Sequence, residues 1–199
     1  MLALHELPLA YDEHALSQGM LGELLIVAPC YWLLAFLLVT GKRGMIDLRA
    51  RADELARTDP LTGLANRRAL IEAMDVRGER LGLLMLDVDD FKHVNTVFGH
   101  PGGDRALVFI AGCLRKSSRA GDVAARLGGD EFAVLVRDAS PDGMSALAER
   151  LLEAVRLGNS VRISVGWAIG GDDLLHDADN ALAEAKRGGK DRALSAVST

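Results

Sequence analysis

Residues 126–132 read Arg126-Leu127-Gly128-Gly129-Asp130-Glu131-Phe132, and no other stretch restricts the possible folds as strongly. Two consecutive glycines permit a tight turn and a close approach of a bulky ligand to the backbone. The flanks, from Asp122-Val123-Ala124-Ala125 before to Ala133-Val134-Leu135-Val136 after, can both pair as strands. The segment therefore predicts a β-hairpin over 123–137 with Asp130 and Glu131 at its tip. Carboxylates on a glycine turn suit a hard cation and a phosphate-bearing substrate.

A second acidic element precedes it. Leu81-Gly82-Leu83-Leu84-Met85-Leu86 is an apolar run that ends in Asp87-Val88-Asp89-Asp90. The run reads as a buried strand over 81–88. Strand alternation puts Asp87 and Asp89 on one face. A strand end and a hairpin tip, both acidic, can hold one or two Mg²⁺ ions between them. The remaining pattern predicts helices over 65–75, 100–117, 142–156 and 173–187 and a strand over 161–169. Helices interleaved with apolar strands point to an α/β sandwich, a sheet covered by helices.

The 199 residues suffice for one domain and a short extra element, and 49% are hydrophobic, enough for a packed core. A net charge of −5 argues against a nucleic-acid partner. Cys30 and Cys113 lie in unlike contexts and read as reduced thiols, and the five histidines form no metal spacing.

Leu24 to Thr40 is a run of 17 residues without a charge, followed by Lys42, Arg43, Arg49 and Arg51. With Leu21 and Gly22 it approaches the roughly 20 residues that span a bilayer. The expectation is a single transmembrane helix over 21–41, with the C-terminal side in the cytoplasm. The competing reading is a buried helix of a small regulatory domain. Residues 1–20 are too short to fold alone. Over 42–58, Met45, Leu48, Ala52 and Leu55 recur at intervals of 3, 4 and 3. This fits a parallel coiled-coil linker or an amphipathic helix packed on its own domain equally well.

With these motifs in view, the chain resembles the GGDEF family of diguanylate cyclases. The likeness rests on Gly128-Gly129-Asp130-Glu131-Phe132 and on Asp59-Pro60-Leu61-Thr62-Gly63-Leu64-Ala65-Asn66-Arg67-Arg68. Asp87-Val88-Asp89-Asp90-Phe91-Lys92, Asn95, Phe98-Gly99-His100 and Gly103-Asp104 follow in the family's order and spacing. Ser164-Val165-Gly166-Trp167-Ala168 and residues 178–186 match its closing blocks. The resemblance spans about residues 57–192, so a catalytic domain is expected over 59–192, with 193–199 as a tail. It implies a palm-like domain with a central antiparallel βαββαβ sheet, here preceded by the N-terminal hydrophobic helix. It also implies condensation of two GTP into cyclic di-GMP with release of two pyrophosphates.

The resemblance implies residue roles too. Asp87, Asp130 and the Val88 carbonyl would hold Mg²⁺, with Mn²⁺ as the alternative. Asp130 would accept the proton, with Glu131 a second candidate. Asn95 and Asp104 would read guanine, with His100 lining the same site: the Asn95 amide both donates and accepts, and the Asp104 carboxylate can accept from guanine N1–H and N2–H. Phe91 and Lys92 backbone amides, with Lys186 and Lys190, would face the triphosphate. Arg119 and Asp122 stand in the register of the family's inhibitory product site, RxxD. The product contains two guanosines, which implies a homodimer. The expected location is the bacterial inner membrane, single-pass, with the catalytic domain inside. The alternative is a non-catalytic cyclic di-GMP receptor on the same fold.

Overall fold

A computed structural model describes residues 31–34, 36–40, 57–75, 80–158, 161–171 and 173–196. The chain divides into two compact units, Met1–Leu55 and Ala56–Thr199. In the first, residues 31–34 and 36–40 are helical (α1), and Thr40 donates its hydroxyl to the Phe36 carbonyl at 2.7 Å. The expectation of a membrane span over 21–41 is corrected here. Among the described residues no helix is long and apolar enough to cross a membrane. The described helical residues, 31–34 and 36–40, number nine, against the roughly 20 that a bilayer core needs. The single-pass inner-membrane location rested on that span and is corrected with it. Residues 1–20, the seam residues Met45, Leu48, Ala52 and Leu55, Cys30 and the end of the tail lie outside the described residues.

The second unit runs β1 (Ala65–Asn66), α2 (Arg67–Met74), β2 (Gly82–Val88), α3 (Phe91–Ser117), β3 (Val123–Gly128) and β4 (Glu131–Val136). It continues with α4 (Pro141–Gly158), β5 (Ile163–Ile169), α5 (Leu174–Arg187) and β6 (Ala193–Ser195). The sheet order is β1-β3-β4-β2-β5-β6. Its four inner strands are antiparallel and follow the expected βαββαβ order. The sheet as a whole is mixed, because β1 and β6 join its edges in parallel with β3 and β5. These edges are two and three residues long, too short to carry an alternation that a sequence pattern could register.

Every residue of β2 is buried, as its continuous apolar run requires of a strand covered on both faces. Alternation sorts the strand between two cores. Leu84, Leu86 and Val88 join residues of α3 and α4, whereas Leu83 and Met85 join residues of α2 and α5. Asp87, next in the odd series, therefore emerges on the α5 face at the strand's end.

α3 begins at Phe91, nine residues before the expected start, and contains a break. Gly99 takes φ 69 and ψ 170, and Pro101 follows inside the helix. Proline lacks the N–H that would continue the ladder, and glycine alone adopts the positive φ without strain. The proline reads as a helix start in sequence, which hides the turns before it.

α5 lies directly on β5. A Cβ on Gly166 would sit 2.0 Å from the Leu182 backbone nitrogen and 2.5 Å from the Ala178 oxygen. Gly166→Ala should therefore lower the stability of the full chain by about 3 kcal/mol, since backbone cannot yield as a side chain can. Urea denaturation measures this, and an unchanged midpoint would contradict the packing.

Candidate functional site

The end of β2 and the start of β4 meet in register, with Asp87 opposite Glu131. Directly paired residues in an antiparallel sheet share a face, so two carboxylates confront each other there. The Val88 amide donates to the Asp130 carbonyl at 3.3 Å and ties the strand end to the hairpin turn. Asp87 is buried to 8% exposure, whereas Glu131 is exposed and Asp130 half-buried. Burial pushes the Asp87 carboxyl above its usual range, and the charges of Asp130 and Glu131 push it further. An ion pair from Lys186 at 2.8 Å opposes them without cancelling the rise. Three acids thus share one directly paired lysine.

A short ladder of such pairs links the strand end to the last turn of α5. Lys190 pairs with Asp90 at 2.6 Å. That pair raises the Lys190 pKa and lowers that of Asp90. Asp90 itself caps α3 in a left-handed conformation (φ 54), and its carbonyl accepts from the His93 amide at 2.8 Å. The Phe91 and Lys92 amides precede that first bond, so they stand at a helix N-terminus able to face an anion. The Phe91 ring itself is half-buried and packs on the core, and the Lys92 side chain is exposed.

Asn95 lies on α3 before the break, and Asp104 after it. A Cβ on Gly103 would fall 2.0 Å from Asn95 Oδ1. The glycine therefore lets the Asn95 amide fold against the second limb of α3, next to Asp104. His100 and Asp104 are both exposed. Arg119 and Asp122 form their own turn: the Arg119 amide donates to Asp122 Oδ2 at 2.8 Å, and the Arg119 side chain is exposed.

Two acids do work that sequence motifs did not assign. Asp59 accepts the Thr62 amide at 2.8 Å and hydroxyl at 2.6 Å, and pairs with Arg126 at 3.2 Å. Arg126 also donates to the Gly129 carbonyl at 2.7 Å. One guanidinium thus fastens the glycine turn to the Asp59–Gly63 loop. Burial tends to raise the Asp59 pKa, but the bonds from Thr62 and Arg126 outweigh it and hold the carboxyl below its ordinary value. Asp89, which strand alternation placed on one face with Asp87, is buried and bonded to protein. Its oxygens accept from the Ser164 hydroxyl at 2.7 Å and from the Asp191 amide at 3.0 Å. These partners lie 67, 75 and 102 positions apart, so no local pattern could have revealed them.

Among the described residues no group of three or more His, Cys, Asp or Glu forms a ready metal cluster. The acids nevertheless fit a divalent ion. Asp130 and Glu131 both act electrostatically on Asp87, and Mg²⁺ is commonly held by one or two carboxylates with waters and substrate phosphates.

The diguanylate cyclase GGDEF domain model matches residues 56–192, and the chain belongs to that family. Diguanylate cyclase DgcP of Pseudomonas aeruginosa is 41% identical over 157 residues, covering 69% of this chain and 23% of DgcP. The chain thus spans about a quarter of that relative. The structure of diguanylate cyclase SiaD with its activator SiaC, from P. aeruginosa, superposes with a TM-score of 0.67 at 32% identity. It covers 94% of this chain and 80% of SiaD. The GGDEF domain of DgcB from Caulobacter crescentus, in complex with c-di-GMP, gives a TM-score of 0.64 at 30% identity. That match covers 72% of this chain and 97% of the DgcB domain.

The Asp59–Arg126 bridge has a pH signature. A carboxyl held below its unfolded pKa contributes stability that is complete above that value and fades as pH falls through the lower folded value. Asp59→Asn should cost about 1.5 kcal/mol at pH 7, and the gap from wild type should narrow as pH drops below about 4. Urea denaturation at stepped pH reads it, and a gap independent of pH would contradict the assignment.

Proposed function

We propose that this chain is a diguanylate cyclase that condenses two GTP into cyclic di-GMP and releases two pyrophosphates. The observation that carries the proposal is the pairing of Asp87 with Glu131 across β2 and β4, beside Asp130 and Lys186. The names of the related cyclases support it. Asp87, Asp130 and the Val88 carbonyl would hold Mg²⁺, or Mn²⁺ in its place. The ion would supply charge neutralisation on the phosphates and a lowered pKa for the attacking 3′-hydroxyl.

The chain's own residues divide the remaining work. Asp130 accepts the proton of the 3′-hydroxyl as its oxygen bonds to the α-phosphorus of the other nucleotide, and pyrophosphate leaves. Glu131 is the second candidate for this role. Asn95 and Asp104 recognise guanine, because a carboxylate can accept the N1–H and N2–H together, a donor pair that adenine lacks. His100 lines the same recess. The Phe91 and Lys92 amides and the Lys186 and Lys190 ammonium groups face the triphosphate. Lys186 already stands against Asp87, so its charge is in place before substrate arrives. Lysine at position 190 gives a point charge and no bidentate fork.

One such site holds one nucleotide, and the product contains two. Two protomers facing each other would bring a 3′-hydroxyl to an α-phosphate, and such positioning supplies much of a rate. Arg119 and Asp122 would bind the finished product at a separate surface and restrain turnover; an arginine fork suits a guanine edge or a phosphate.

Incubation of the full chain with GTP and Mg²⁺ should yield cyclic di-GMP by chromatography, and Asp130→Ala should reduce the rate at least about a hundredfold. Absence of product, or a wild-type rate from the variant, would remove the proposal. Arg119→Ala should leave the initial rate unchanged and weaken product inhibition at least about tenfold; identical inhibition curves would reject the product site. Gly103→Ala should raise the KM for GTP about tenfold by displacing Asn95, and an unchanged KM would disconnect Asn95 from guanine.

A further inference from the structure

Asp89 is the acid of the β2 end whose carboxylate is held by neutral donors of the protein, whereas Asp87 and Asp90 each meet a lysine. Asp89 follows β2 immediately, and its amide donates to the Arg162 carbonyl at 2.9 Å. Oδ1 accepts from Ser164, which is completely buried, and Oδ2 accepts from the Asp191 amide, 102 positions away. The segment that it reaches is unusual. Lys190 (φ 64) and Asp191 (φ 47) are consecutive left-handed residues with side chains. Left-handed backbone is unfavourable for such residues, so tertiary bonds must hold it.

The surrounding contacts show what that turn accomplishes. α5 ends at Arg187, and the Gly188 amide donates to Glu184 O at 2.8 Å. The chain then reverses through Lys190 and Asp191, and the Val165 amide donates to Arg192 O at 2.9 Å as β6 begins beside β5. From outside, Arg156 clasps Asp191 through its carboxylate at 2.9 Å and its carbonyl at 2.6 Å. From inside, Asp89 holds the amide of the same residue. The reversal aims the Lys190 ammonium back over the β2 end, where it meets Asp90.

We infer that Asp89 is a positioning residue: by accepting the Asp191 amide and the Ser164 hydroxyl it fixes the left-handed turn that presents Lys190 to the substrate's triphosphate. This rests on the cyclase reading for the identity of the substrate. It distinguishes Asp89 from its neighbours in kind. Asp87 and Asp130 need their negative charge, whereas Asp89 needs only an acceptor aimed at Asp191 and a partner for Ser164. An asparagine can supply both. Its Oδ1 can accept from the Asp191 amide while its Nδ2–H donates to the Ser164 oxygen.

The full chain tests this through Asp89→Asn, Asp89→Ala and Lys190→Ala. Asp89→Ala should raise the KM for GTP about tenfold with kcat changed less than about threefold, and should add nothing further in the Lys190→Ala background. Asp89→Asn should restore KM to within about threefold of wild type, and its affinity for Mn²⁺ without nucleotide should equal wild type. An asparagine variant as defective as alanine, or one with weakened Mn²⁺ binding, would overturn the inference and make Asp89 a charge-requiring ligand. So would an effect that adds in full to that of Lys190→Ala. Should Asp89→Ala not fold, the asparagine variant still decides. Hydrogen exchange of the Asp191 amide in the wild type gives a reading independent of turnover. Protection supports the clamp even if the chain makes no cyclic di-GMP, and exchange at the unfolded-chain rate overturns it.

Discussion

Like charges crowd the end of β2, and the unit Ala56–Thr199 is organised around that constraint. Asp87 faces Glu131 across the sheet and feels Asp130 as well. Opposed carboxylates destabilise a strand pair, and burial adds to the cost at Asp87. The fold tolerates this because the β2 run is buried on both faces and pairs over its length with both β4 and β5. α5 then brings Lys186 against Asp87. The close seating of α5 on Gly166 is what permits that approach, so a missing side chain on β5 and a charge on α5 serve one purpose.

The three acids at 87, 89 and 90 have adjacent positions and different occupations. Asp87 remains in an unbalanced electrostatic environment suited to a cation. Asp90 sits at the helix entrance and meets Lys190. Asp89 is satisfied by neutral donors of the protein. Under the proposed reading, a ligand site and its scaffold alternate along one short segment. Their division follows from which face each side chain leaves and which donors wait there.

Much of this was legible in the sequence. The glycine turn, the acidic strand end and the alternation of helix and strand patterns gave the inner strands and put Asp87 and Glu131 at a strand end and a hairpin tip, and the resemblance to the GGDEF family implied the antiparallel order that joins them. The local signals failed where the cause was tertiary or too short. β1 and β6 exist because distant backbone holds them, and α3 begins early because Gly99 absorbs a break that Pro101 would otherwise enforce. The Asp59–Arg126 bridge and the Asp89 bonds join residues with no shared periodicity. The apolar run before residue 41 misled most: among the described residues no helix is long and apolar enough to cross a membrane.

The claim at the centre is that the Asp87 carboxylate, crowded by Asp130 and Glu131, seats a divalent cation. Electron paramagnetic resonance of Mn²⁺ titrated into the full chain, against an Asp87→Asn variant of equal stability, measures this most directly. The account predicts one class of bound ion in the wild type, weakened at least about tenfold by the loss of one ligand charge. Equal affinity in the two proteins would contradict it.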